Sequence, residues 1–545
     1  MIECCIIGSG PAGLQAGYLL KQKGIDFRIL EKSGAVSDFF RHFPRHRTLI
    51  SVNKPNTGHS NPETQLRYDW NSLINQEGKV FGNISESYFP NADDYVGYLD
   101  DFAAQLSDNI LLNCDVKQIS KQDGIFSLDC ADGTVVQAKR IIVATGFGKP
   151  WMPEVKGIET TDNYYDFNTD PEIYKNKRVL IIGKGNSAFE TADSLVETAQ
   201  AIHVVSPEPV SFAWQTHYVG DLRAVNNNFL DTYQLKTQNA MLDGEIDSIV
   251  LKDGLYTVTI KMGAAADHTI ILQYDHIISC TGFRFDNSIF APEIRPEMCS
   301  NNKLPLMSCE WESTTTPDLF FAGTITHSRD YRKTMSGFVH GFRHNVACLA
   351  EFIAGRVQGT EYPSAALDLN TQTVTKQIID RISLSAGLFL QPGFLGDAIV
   401  LSGKDKGQVF QDVPVDWMQS TAPFADQEFL QITLEFGDFG ANSFHVKRQH
   451  TIFGDTPDPF IHPVIRHYKN GALLATTHLT DHLDSDWRPE SEKDAGVGTV
   501  THITFVDAGK PLPPFEVAQQ QIQAFFAKNG LFVQDGKIAE LLHAG

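Results

Sequence analysis

Apolar and polar positions along the chain set out the same device twice. The apolar run Ile2 to Ile7 passes directly into Gly8-Ser9-Gly10-Pro11-Ala12-Gly13, and an apolar-periodic stretch then continues to Lys23. Much later Arg178-Val179-Leu180-Ile181-Ile182 passes into Gly183-Lys184-Gly185-Asn186-Ser187-Ala188. Each predicts a buried strand, a tight glycine turn and a helix starting at the turn. After the first unit, Gly24 breaks the helix and Phe27-Arg28-Ile29-Leu30 reads as a second strand ending in Glu31. Three further apolar runs end in small turn residues: Arg140 to Ala144-Thr145-Gly146, Asp275 to Thr281-Gly282, and Leu319 to Gly323-Thr324.

A strand–glycine–helix unit offers backbone N–H groups and a helix N-terminus to a pyrophosphate. Glu31, about twenty residues past the glycines at a strand end, suits a ribose diol. Two such units imply FAD at Gly8, Gly10, Pro11, Ala12, Gly13 and Glu31. NADPH or NADH belongs at Gly183, Gly185, Asn186, Ser187 and Ala188. Thr145-Gly146, like Thr281-Gly282, marks a crossing between the domains, and Gly323-Thr324 leads the chain to the flavin; Thr145, Gly146, Gly323 and Thr324 are counted with the cofactor-binding residues. The fold expected is α/β, with two dinucleotide-binding domains and a C-terminal α+β domain. Residues 1–150 and 286–365 form a split FAD domain, 151–285 an inserted NAD(P) domain, and 366–545 the C-terminal domain. There Glu428–Phe436 and Thr501–Val506 read as strands and Gln519–Lys528 as a helix.

A length of 545 residues exceeds one compact core, which suits this division. The net charge of −21 argues against nucleic acid and anionic membranes as partners. Apolar runs are strand-sized, a strand begins at the second residue, and the expected location is cytoplasmic. The eight cysteines form no CxxC pair, so no dithiol of a disulfide reductase is visible in the sequence, and a pair brought together by folding stays open. The histidines beyond residue 440 have no ligand spacing, and no metal is expected.

Polar-aromatic segments hold the remaining chemistry. Arg45 to Lys54 predicts a loop over the flavin, with Arg47 pairing the phosphates. Trp214 to Asn227 and His327 to Arg343 are the other two. In Ser206-Pro207-Glu208, after the second strand of the inserted unit, a carboxylate stands where NADP-binding proteins place arginine, unless Arg223 reaches across.

These segments resemble the family of the vertebrate ER flavoprotein associated with degradation, FAD-dependent oxidoreductase domain-containing protein 2. The shared runs are Thr216 to Ala224, Asp231 to Lys236, Asp330 to Lys333, His340 to Arg343, Pro44 to Arg47 and Asn53-Lys54. The likeness covers about residues 1 to 350. The two-domain plan is similar, more broadly, to class B flavin monooxygenases. That resemblance implies an NAD(P)H-dependent FAD oxidoreductase, a monooxygenase oxygenating a small molecule through a flavin hydroperoxide. Asn53 stands where that class supports the hydroperoxide, and Arg332 and Lys333 join it as catalytic candidates. The class fingerprint FxGxxxHxxxY lacks its histidine at Asn163 to Phe167. Alternatives are a non-oxygenating reductase or oxidase, a halogenase using Lys54 or Lys333, and a flavin-bound interaction protein. The expected partners are a small-molecule substrate and dioxygen; a homo-oligomer stays open.

Overall fold

A computed structural model describes the chain except residues 236–237, 264–267, 402, 404, 421–423, 441–458, 495–504, 508–509 and 533–545. Its three large sheets explain the repeated apolar runs. In the first, the strands run in the order Ile110–Leu111, Phe27–Leu30, Ile2–Ile7, Val135–Val143, Ile125–Cys130, Val116–Gln122. Ile2–Ile7 pairs in parallel with both neighbours, and Leu319–Phe321 pairs in parallel with the end of Val135–Val143. Such strands are covered on both faces, which is why Cys4 to Ile7 read as a continuous apolar run and are buried.

The second sheet has the order Thr269–Tyr274, Leu255–Met262, Asn239–Lys252, Ala201–Ser206, Arg178–Ile182, His276–Ser279, Asp162–Asn163. Its parallel half carries the second glycine turn, and its antiparallel half extends the edge. The chain passes between the two sheets on a short antiparallel pair, Lys149–Pro150 with Phe283–Arg284. Two dinucleotide-binding folds in one chain is therefore the architecture.

The third sheet is antiparallel, ordered Ala365–Asp368, Lys406–Pro414, Leu395–Val400, Glu428–Glu435, His462–Lys469, Ala472–His478. One face buries Leu430, Ile432 and Ile465 against the helices Thr371–Leu384 and Pro514–Lys528. The other face, with Ala398, Phe410 and Phe429, is continuous with the core of the first sheet. Leu395–Val400 is buried at every position because it lies between these layers. The C-terminal region is thus an α+β unit fused to the flavin fold. Of the predicted strand Thr501–Val506, residues 501–504 lie outside the described residues, and Phe505–Asp507 is a strand. Among the described residues no helix is long and apolar enough to cross a membrane.

Candidate functional site

Both glycine turns are built alike. Gly8 N–H donates to Leu30 O and Gly183 N–H to Val205 O, each at 2.8 Å. Gly8 has φ +101° and Gly183 φ +120°, which side-chain-bearing residues avoid. A Cβ on Gly8 would stand 2.7 Å from Ala144 O, and one on Gly183 2.3 Å from Cys280 O. Gly13 packs closer still: its Cβ would lie 2.0 Å from Gly8 O. Gly10 and Gly185 instead face open space and cap the helices Pro11–Gln22 and Asn186–Leu195. Glu31 is buried, its carboxylate accepting from Ser9 N (2.9 Å), Ser9 Oγ (2.7 Å) and Ser33 N (2.9 Å).

A cavity of about 710 Å³ joins the two turns. Of the residues predicted to bind cofactor, Gly8, Gly10, Pro11, Ala12, Glu31, Thr145, Gly146, Asn186, Ser187, Gly323 and Thr324 line it. Gly13 and Ala188 support the helix starts from behind, and Gly183 and Gly185 form the turn itself. Glycines that leave room for an approaching group, helix N-termini and a carboxylate at the strand end fit a dinucleotide at each turn.

Other expected residues lie elsewhere. Arg47 does not line the cavity: its guanidinium donates to Phe40 O at 2.8 Å and pairs with Asp93 at 2.7 Å. Its backbone lies at φ +65°, which turns the side chain into that contact. Asn53 is buried behind the wall, donating to Ser85 O (2.5 Å) and Ser87 O (3.4 Å), with Oδ1 unpartnered. Arg332 is exposed and pairs with Asp221 at 2.5 Å; Lys333 is exposed. None of the three lines the cavity.

A stack that the sequence did not announce lines it instead. His340 lies between Trp70, at 4.2 Å and 22°, and Phe338, at 5.9 Å and 16°. The Arg223 guanidinium lies 5.5 Å over Trp70 and donates to Ile50 O at 2.9 Å. Both His340 ring nitrogens are buried without a partner. Burial, with Arg343 and Arg223 nearby, holds this imidazole well below its usual pKa, so it is neutral at pH 7. Arg223 and His340 fall within the polar-aromatic segments, which was the legible signal; Trp70 had none.

The C-terminal unit fixes this wall. Arg67, fully buried, donates to Ile382 O (3.0 Å), Ser385 O (3.1 Å) and Ser485 O (3.0 Å). Arg343 donates to Leu66 O, Asp69 O and Ser72 O at 2.5, 2.9 and 2.7 Å. Trp70 lies between those anchors. Gln391 likewise holds the segment before Phe338, bonding Met335 N, Ser336 Oγ and Asn345 Oδ1.

On the side of the second turn, Glu190 and Tyr164 line the cavity and hydrogen-bond each other. Burial pushes the Glu190 carboxyl up to about 7, against the lowering effect of the Tyr164 bond. Cys114 also lines the cavity, with its N–H on Glu31 O at 2.8 Å. Burial and the neighbouring Cys114 thiol push Cys130 up to about 12. Folding thus brings Cys114 and Cys130 together, with Cys130 held in thiol form.

The family model described as pyridine nucleotide-disulphide oxidoreductase matches residues 5–323. The chain is 35% identical over 529 residues to FAD-dependent oxidoreductase domain-containing protein 2 of Mus musculus, covering 89% of this chain and 78% of that protein. Among solved structures it is similar to the bacillithiol disulfide reductase of Bacillus cereus, with TM-score 0.51 and 20% identity. The match covers 65% of this chain and 99% of that one. It is also similar to a flavin-containing monooxygenase of Stenotrophomonas maltophilia, with TM-score 0.50 and 17% identity, over 65% and 98% of the two chains. At these identities the two structures show the fold alone. The chain belongs to the pyridine nucleotide-disulphide oxidoreductase family, as a flavoprotein that uses FAD and NAD(P)H.

Proposed function

We propose that this oxidoreductase is a monooxygenase that consumes NAD(P)H and dioxygen and places one oxygen atom on a small-molecule substrate. The observation that carries the reading is the Arg223–Trp70–His340–Phe338 wall, which closes the cavity with aromatic surface and two unpartnered imidazole nitrogens. FAD held by the first glycine turn and Glu31 would supply hydride acceptance from a nicotinamide and electron delivery to dioxygen. The protein excludes water through the stacked rings, which keeps reactive groups from hydrolysis. The neutral His340 has one N–H to donate and one nitrogen lone pair to accept. Glu190 holds a proton close to neutral pH on the nicotinamide side, with Tyr164 as its partner.

Asn53 acts in this reading as a positioning residue. Val52 and Asn53 pair with the segment that carries Trp70, through Trp70 N–H on Val52 O at 3.1 Å and the Asn53–Asp69 bridge. Arg332 and Lys333, both exposed and absent from the cavity wall, have no inner role here. Beside Cys114, Cys130 has its thiol raised by burial, which disfavours a relay of electrons through the pair.

The test is the ratio of hydrogen peroxide released to NAD(P)H consumed in air, measured with amine and sulfide substrates. A fall in that ratio, with ¹⁸O from ¹⁸O₂ appearing in product, supports oxygenation. A ratio that no substrate lowers, with reduction of a quinone or disulfide instead, establishes a reductase.

A further inference from the structure

The second glycine turn carries a charge arrangement that decides between the two nicotinamide nucleotides. In the first turn the strand paired beside Ile7 ends at Leu30 and hands Glu31 to the ribose position. In the second, Val205 is the register partner of Ile182, so Ser206 takes the place of Glu31. The groups around Ser206 are therefore those that meet the adenosine ribose and, in NADPH, its 2′-phosphate. Ser206 is also the register partner of Asp243 on the next strand.

Lys184, from within the turn, is the cation at this place, and it is already engaged. Its ammonium pairs with Asp243 and donates to Ser206 O (3.4 Å) and Glu208 O (3.2 Å), with its side chain only 4% exposed. Asp243 and Glu208 both face solvent there. Arg223, the residue that could have reached across, is instead committed to Ile50 O and the Trp70 face. Among the described residues the place thus holds one neutralised lysine and a further carboxylate. A 2′-phosphate brings about −1.5 to −2 charges and three acceptor oxygens to whatever receives it. A ribose 2′-OH is a donor and asks for a carboxylate or carbonyl instead.

We propose that the protein is specific for NADH, with Asp243 and Glu208 excluding the 2′-phosphate and Lys184 held as a structural cation. The proposal deepens the reading of the cavity as a flavin–nicotinamide site but does not depend on what the flavin electrons do afterwards.

The experiment is calorimetric titration of the FAD-loaded protein with NAD⁺ and NADP⁺, beside anaerobic flavin bleaching by NADH and NADPH. The expected result is NAD⁺ binding at least about tenfold tighter than NADP⁺. Glu208→Arg and, separately, Asp243→Asn should each shift the ratio of the two dissociation constants towards NADP⁺ by about tenfold. Wild-type binding of NADP⁺ as tight as NAD⁺ would overturn the proposal, as would both variants leaving the ratio unchanged. Failure of both nucleotides to bind would overturn the nicotinamide site itself, whereas oxygen insertion failing with the NADH preference intact would overturn only the monooxygenase reading.

Discussion

The indole of Trp70 and the imidazole of His340 lie face to face, 4.2 Å between centroids, although 270 positions separate them in the chain. Their contact joins the loop after the first nucleotide unit to the start of the helix Val339–Gln358. His340→Phe should keep the stack and leave stability within about 1.5 kcal/mol. It removes both ring nitrogens, so turnover should fall about 10- to 100-fold, the worth of one hydrogen bond in a dry site. Steady-state kinetics beside thermal unfolding of the variant checks this; unchanged turnover would mean the nitrogens face nothing that reacts.

Arg67 ties the Trp70 segment to the C-terminal unit through three carbonyls. Arg67→Met removes the donors and leaves buried carbonyls unpaired, each costing about 1–3 kcal/mol. Limited proteolysis should then release the C-terminal unit sooner, and FAD should dissociate more readily. Protease resistance and FAD content equal to wild type would show that the brace is dispensable.

The two glycine turns should separate genetically. Gly8→Ala forces a Cβ against Ala144 O at φ +101°, and the purified protein should be colourless. Gly183→Ala does the same against Cys280 O and should leave a yellow protein with weakened nicotinamide binding. Absorbance at flavin wavelengths and nucleotide titration read the two outcomes.

These turns were legible because everything they need is local: a strand, glycines at fixed offsets and a helix start. Arg47 misled because sequence reveals a charge but not its direction, and Phe40 O and Asp93 claim that guanidinium. Arg332 misled in the same way, since Asp221 from the inserted unit meets it. The wall of the cavity was hidden for a different reason. Trp70, Arg223 and His340 come from three segments, two of the split first domain and one of the inserted domain, that only folding brings together. The Cys114–Cys130 neighbours were equally invisible, being set by strand pairing of Val116 with Cys130. The segment that lacks the fingerprint histidine nonetheless reaches the site, where Tyr164 and Tyr165 line the cavity.

Acid should destabilise the fold through buried histidines. Burial holds His327 at about 4 and His344 at about 3, with His340 also well below the ordinary value near 6.5. Their unfolded forms take up protons from about pH 6.5 downward while the folded forms do not, so stability falls as pH drops below that value. Each contributes about 1.4 kcal/mol per pH unit until its folded pKa is reached. Glu190, raised to about 7, has the opposite sign: its contribution is present at low pH and lost as pH rises from about 4.5 through 7. Urea unfolding at pH 7.5, 6 and 5 should show the net loss towards acid, and His344→Gln should reduce its slope. A midpoint that stays flat from pH 7.5 to 5 would contradict these assignments.

Anaerobic titration of the FAD-loaded protein with NADH tests most directly whether two nucleotides meet in one cavity. The flavin absorbance should bleach with one NADH per FAD in the wild type, and bleach far more slowly in Gly183→Ala at the same nucleotide concentration. A wild-type flavin that stays yellow under excess NADH and NADPH would contradict it.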